Sequence, residues 1–297
     1  MSHGTNQQQS QEELYTGAVK FYGRHLVALV VDYIQLDENG KQISDEKLVG
    51  FSAFIMSFDG EWFLVTAGHS LKEGIEDKVA TGRVKLLGAS IQDNFGPDAK
   101  SHLPTIIDYD SIPKWYIDDA EFGLDLGMIH LRDLYRKGLE TNGVVPISEA
   151  NWQNQPDNML VDYCLFGFPE ELVGETKTEP GPTGEMLTAS INPLLLHVER
   201  TDTSHREITP TVLPWFIGKV NTAPFGLKSI VGMSGGPIFG FKVYPNGEWR
   251  YWVVALQSRW DPISKTVYGC PLSVFGPWIK QQLLRGIEDI EPERTMG

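Results

Sequence analysis

Cysteine is nearly absent. Cys164 and Cys270 are the only two in 297 residues, so a small fold stapled by several disulfides is excluded. Each lies in an apolar or turn context that reads as a buried free thiol, and the chain reads as a protein of a reducing compartment, the cytoplasm. Long apolar runs are missing too, and none approaches the ~18 residues that span a bilayer. The first residues are polar and glutamine-rich. With neither a basic n-region nor an apolar core they do not make a secretory signal, and residues 1–14 read as a disordered tail. Positive charge is scarce: 25 Lys and Arg face 39 Asp and Glu, a net of −14. Such a surface repels phosphate backbones and anionic bilayers, which argues against nucleic-acid and membrane partners. His197 and His205 have no cysteine or acidic cluster at ligand spacing, so no zinc site is expected. Asp37-Glu38-Asn39-Gly40 reads as a hairpin turn rather than a calcium loop. No cofactor is expected.

Glycine and proline are plentiful. Thirty glycines and 18 prolines, scattered rather than clustered, suit a β-rich chain with many turns. Strands are expected at Leu26–Val31, Gly50–Met56, Asp125–Leu131 and Trp252–Leu256. Helical patterning is confined to Pro277–Arg285 and Leu131–Leu139. Residues 169–214, rich in Pro, Gly, Thr and Glu around 176–184, are expected to contain a long surface loop.

The chemistry-bearing signals come in order along the chain. Thr66-Ala67-Gly68-His69 places a histidine after the end of an apolar strand. Gly232-Met233-Ser234-Gly235-Gly236-Pro237 places a serine between glycines, where a tight turn exposes its hydroxyl and aims backbone N–H groups at a carbonyl under attack. The serine segment also fits the nucleophile elbow of α/β-hydrolases, but there the histidine follows the serine. All seven histidines precede Ser234, which removes that reading. The order His–Asp–Ser needs a carboxylate between positions 69 and 234. Asp125, at the mouth of an apolar strand, suits this better than Asp118, Asp119 or Asp133, which lie in more polar surroundings.

At these residues the chain resembles the trypsin-like, chymotrypsin-fold serine peptidases, and among them a bacterial-type intracellular member. Phe63–His69 resembles the histidine motif, Asp125–Ile129 the aspartate motif and Gly232–Pro237 the serine motif. Gly68 and Gly127 stand where alanine is usual, and Ser70 where animal members carry cysteine. Gly276–Gln281 resembles the start of the family's C-terminal helix. The resemblance implies an all-β fold of two packed six-stranded antiparallel barrels with a short C-terminal helix. A first lobe would occupy residues 15–140 and carry His69 and Asp125. A second lobe would occupy 141–275 and carry Ser234, followed by a helix and tail over 276–297.

The activity implied is serine endopeptidase action on polypeptides through an acyl-enzyme. Ser234 would be the nucleophile, His69 the base and Asp125 its orienting partner, with the N–H groups of Gly232 and Ser234 as the oxyanion hole. Gly235 and Gly236 would let the substrate chain come close. Lys228 would lie near the floor of the primary pocket, and Gln257, Ser258 and Arg259 on the substrate-pairing strand. No acidic floor residue is present, so a preference for Lys or Arg before the cut is not expected. Met233 precedes the nucleophile and cannot pair with a freshly cut N-terminus, so no N-terminal processing is expected. A regulatory, stress or defence role fits, with an activating or regulatory protein partner. The alternative is a catalytically silent or partner-gated fold used as a binding module.

Overall fold

The computed structural model describes residues 3–93, 95–96, 104–153, 160, 162–181, 184–201, 212–274, 276 and 280–281. It opens on a helix, α1 (His3–Gly23), where the sequence suggested a tail over residues 1–14. The reason lies at the far end of the helix. Tyr22 is buried, and Ala18, Val19 and Phe21 pack on the central core, which gives α1 an apolar stripe at helical spacing. The glutamine- and glutamate-rich turns upstream then extend a helix that packing has already nucleated.

The first lobe is one antiparallel sheet. Its strands are β1 (Leu26–Gln35), β2 (Lys47–Phe58), β3 (Glu61–Thr66), β4 (Val84–Gln92), β5 (Thr105–Ile107), β6 (Lys114–Asp119) and β7 (Leu124–Leu131). They run in the order β5-β4-β1-β2-β3-β7-β6. The expected hairpin turn follows β1, with the Gly40 N–H donating to Asp37 O at 3.0 Å. Between β3 and β4 lies α2 (Gly68–Leu71), which continues through a π-helical turn, Lys72–Glu76, into α3 (Asp77–Ala80). The helix α4 (Asp133–Thr141) follows β7.

The second lobe contains β8 (Asp162–Gly167), the ribbon β9 (Lys177–Gly181) with β10 (Gly184–Thr188), and β11 (Leu194–Arg200). It continues with β12 (Phe216–Val220), β13 (Pro237–Val243), β14 (Trp249–Asp261) and β15 (Thr266–Pro271). Six of these close a barrel in the order β11-β12-β15-β14-β13-β8.

The protein is thus mostly β, with few helices, a closed six-stranded barrel and a second sheet of seven antiparallel strands. The strand count of the first lobe corrects the expected six-stranded barrel. Among the described residues its edges are β5 and β6, and they are not paired with each other. β5 has only three residues, and the connection after it folds Tyr109 and Ile112 into the interior. Side-chain packing therefore continues past that edge of the sheet. Among its described residues the stretch 169–214 holds the β9–β10 ribbon and the barrel strand β11, and residues 202–211 lie outside the described residues. The expected C-terminal helix falls mostly outside the described residues.

Strand alternation explains how the lobes join. In β3, Trp62 and Leu64 face the interior of the first sheet, whereas Phe63 and Val65 face the core between the lobes. That shared core brings Phe54, Leu126 and Met128 against Phe166, Phe239, Leu256 and Cys270. The barrel keeps its own core around Leu165, Leu196, Ile238 and Val267. β3 therefore ends at the junction of the lobes, directly before His69.

Candidate active site

His69 sits in the first turn after β3. Ala67 is extended (φ −70°, ψ 142°) and the chain then turns helical. This turn is pressed hard against β6 and β7. A Cβ on Gly68 would lie 2.0 Å from Ile117 O, and one on Gly127 would meet Leu71 Cδ1 at 2.8 Å and Ala67 O at 3.1 Å. Those are the two places where glycine replaces the alanine of the resembled pattern, and both replacements serve one close contact.

Asp125 is fully buried, and its two oxygens are divided between three donors. Oδ2 accepts from His69 Nδ1 at 2.7 Å and also from the Ser258 hydroxyl, while Oδ1 accepts the His69 backbone N–H at 2.9 Å. Burial alone would push this carboxyl up. The His69 hydrogen bond and charge, with help from Ser258, outweigh it and hold the carboxyl below the usual range. With Nδ1–H given to Asp125, the His69 Nε2 is the ring nitrogen left to accept a proton. The competing carboxylates are engaged elsewhere. Asp118 pairs with Arg259, Asp119 accepts the N–H groups of Glu121 and Phe122, and Asp133 opens α4.

The serine loop is fastened to both lobes. Gly235 N–H donates to Gln257 O at 2.8 Å and Gln257 N–H to Gly236 O at 2.9 Å. From the first lobe, Ser52 Oγ donates to Gly232 O at 2.7 Å, while Thr66 Oγ1 donates to Ser52 O at 2.8 Å. A Cβ on Gly235 would lie 2.3 Å from both Ser52 O and Thr66 Oγ1, and 2.9 Å from Ala67 N. The loop is therefore stacked on the strand end that delivers His69. This also corrects the reason for the glycines. Gly235 (φ +92°) meets the first lobe, and a Cβ on Gly236 would meet Phe166 O at 2.2 Å, so both answer protein packing rather than substrate approach.

Ser234 is half-buried, and its Oγ donates to Ser258 O at 3.5 Å. Among the described residues no hydrogen bond joins it to His69, and the N–H groups of Gly232 and Ser234 have no protein partner. Met233 is fully buried in the barrel core.

The substrate-facing expectations fare unevenly. Ser258 is buried and its hydroxyl points at Asp125, so its side chain belongs to the His–Asp pair. Gln257 is buried as well, and it pins the serine loop through its backbone. Lys228 is exposed, with its N–H held by Glu171 at 3.2 Å and its carbonyl by Lys265 Nζ at 3.2 Å. This places it on an outward-facing loop. Arg259 is exposed, and its Nη2 lies 2.9 Å from Asp118 Oδ1 across the lobes. Sequence reasoning missed Ser52, Thr66 and Cys270, for which no local motif exists. Away from this region, His197 pairs with Asp162 at 2.7 Å on the surface, and His205 lies outside the described residues. Among the described residues no cluster of His, Cys, Asp or Glu could hold a metal ion, and no helix is long and apolar enough to cross a membrane. Both cysteines are buried and free.

The structure thus sets a glycine-flanked serine loop against the strand end that leads to a His–Asp pair, between a closed barrel and a seven-stranded sheet. No family model matches the chain, and no curated protein matches it. Among solved structures it is similar to the thermostable serine protease AL20 from an extremophilic microorganism. Identity there is 14% over 88% of this chain and 97% of that one, with a TM-score of 0.45. It is also similar to the protease Anisep from Arthrobacter nicotinovorans, at 14% identity over 84% of this chain and 90% of that one, with a TM-score of 0.40.

Proposed function

We propose that this protein is a serine endopeptidase with a chymotrypsin-like arrangement of lobes, cleaving peptide bonds through an acyl-enzyme on Ser234. One observation carries the reading: the His69–Asp125 hydrogen bond follows the end of the strand on which the glycine-flanked Ser234 loop is stacked. Ser234 Oγ turns from Ser258 O toward His69 Nε2 and attacks the scissile carbonyl. His69 takes the proton and passes it to the leaving amine, and Asp125 holds the ring and stabilises the imidazolium. The N–H groups of Gly232 and Ser234, free of protein partners, receive the oxyanion. Water then cleaves the ester by the reverse proton route. The cycle uses no cofactor.

Arg259, beside the site, favours acidic, polar or small substrate residues over Lys or Arg. Two buried free thiols fit a protease of a reducing compartment, the cytoplasm, acting there on polypeptides in a regulatory, stress or defence task under control of a protein partner. A second reading has its own support. Ser234 Oγ rests on Ser258 O, a geometry that suits a gated enzyme awaiting a partner, although such bonds commonly tighten only with substrate. A fluorophosphonate probe separates the readings. Labelling of Ser234 in the isolated protein supports the free enzyme, and labelling only with a partner supports gating. No labelling under either condition defeats the peptidase and leaves a silent binding module.

A further inference from the structure

We infer that Cys270 is a positioning residue for the His69–Asp125 pair, a clamp that reaches from the barrel into the turn carrying Asp125. Its kinetic consequence rests on the peptidase reading above, while its structural part does not. The turn between β6 and β7 is tight. Gly123 adopts φ +76°, and Asp119 Oδ1 gathers the N–H groups of Glu121 and Phe122. Such a turn leaves the Gly123 carbonyl and the Asp125 N–H facing the other lobe. Cys270, fully buried on β15, serves both: Sγ accepts the Asp125 N–H at 3.4 Å and donates its S–H to Gly123 O at 3.2 Å. A thiol can do this because it is a weak donor and a weak acceptor at once. Burial pushes the thiol up to about 12, which keeps the S–H in place as a donor.

Two neighbouring strands of the barrel thus hold Asp125. Ser258 on β14 takes the carboxylate and Cys270 on β15 takes the main chain, while β7 itself belongs to the other sheet. The side-chain direction of Asp125 is set by its Cα position and by where its oxygens are tied. The β6–β7 ladder keeps Asp125 in register with Asp118, but loosening the one main-chain tie to the barrel lets β7 and the carboxylate shift together relative to the serine loop and the barrel. The effect is on the reacting geometry and not on substrate contact, so it should fall on kcat rather than KM.

Cys270→Val keeps an apolar side chain of similar volume and removes both hydrogen bonds, while Cys270→Ser keeps a donor and an acceptor. On a peptide substrate, Cys270→Val should lower kcat by roughly 10- to 100-fold, the scale of a misplaced catalytic group. KM should stay within about 2-fold, and the acidic limb of the kcat/KM–pH profile should move. Cys270→Ser should recover most of that loss. Exchange of the Asp125 amide should quicken in Cys270→Val and return toward wild type in Cys270→Ser. Wild-type kcat, pH profile and exchange in Cys270→Val overturn the inference, as does equal impairment of both variants, which would mean packing alone. Should Cys270→Val fail to fold, Cys270→Ala is read against Cys270→Ser in the same way. If the wild-type protein hydrolyses nothing, the peptidase reading fails and the amide exchange alone decides for or against the clamp.

Discussion

Asp125→Asn tests the centre of the site, and its outcome follows from counting donors. In the native site Asp125 accepts three hydrogen bonds, from His69 Nδ1, the His69 N–H and Ser258 Oγ. An asparagine offers one oxygen and one NH₂ in the same space. If its oxygen keeps the His69 N–H, the NH₂ faces two donors, His69 Nδ1–H and the Ser258 hydroxyl. The ring escapes by moving its proton to Nε2, and it then cannot act as base toward Ser234. A wrong tautomer of this kind costs about 10⁴ in rate, or about 5.4 kcal/mol of transition-state stabilisation. The fold should survive, because Asn fits the cavity. Its acid response should change, however. The carboxyl is held below the usual range, so its ionised form stabilises the fold fully above about pH 4 and less as pH falls through the folded value. Asp125→Asn should flatten that acid loss. The assay is steady-state cleavage of a library-derived peptide beside urea unfolding at several pH values. Retention of a tenth of wild-type turnover would refute the reasoning, as would the same loss from Asp118→Asn or Asp119→Asn.

Ser234→Ala and His69→Ala should each lower turnover by ~10⁴–10⁶, and the double variant should be little worse, because such groups act as a unit. Clean additivity in the same assay would break the assignment. Gly235→Ala, forced to a φ of +92° with a Cβ 2.3 Å from Ser52 O, should lose roughly 3 kcal/mol or more of stability and essentially all activity; an unchanged thermal midpoint would refute the packing argument. Burial lowers His25 to about 4, with Nδ1 donating to Val145 O at 2.6 Å. Its neutral form therefore favours folding above the ordinary histidine value of about 6.5, and about 3 kcal/mol should be lost as pH falls from there to 4. Urea titrations of wild type and His25→Asn at both ends of that window check this. Iodoacetamide at pH 8 should leave both buried thiols of the folded protein unmodified, Cys270 being about one part in 10⁴ thiolate there. Rapid labelling by intact mass would contradict the burial. Cleavage profiling should show no preference for Lys or Arg, and Asp118→Asn, which frees Arg259, should strengthen cleavage beside acidic residues. Predominant cleavage after Arg or Lys sinks that expectation.

What could be read from the sequence is what local chemistry decides. The apolar stretches within β1, β2 and β14 are strands because β-branched and aromatic residues crowd a pleated, buried surface, while β7 is legible as a short apolar run. His69 and Ser234 stand out because each lies where a strand end or a glycine-flanked turn exposes a reactive atom, and Asp125 because it opens an apolar strand. The two cysteines could be judged buried from their neighbours alone. What the tertiary structure decided depends on partners far away in the chain. Ser258 lies 133 positions from Asp125 and Cys270 lies 145 from it, and no window of sequence joins them. The same holds for Ser52, which ties the first sheet to Gly232 180 positions on. Tertiary packing also drew the polar start of the chain into α1, through the few apolar residues at its end. Among the described residues it left the first sheet with seven strands and open edges at β5 and β6, with Tyr109 and Ile112 buried beyond β5. Single residues carry the reactive groups, but their alignment comes from pairwise contacts between lobes, and only folding creates those.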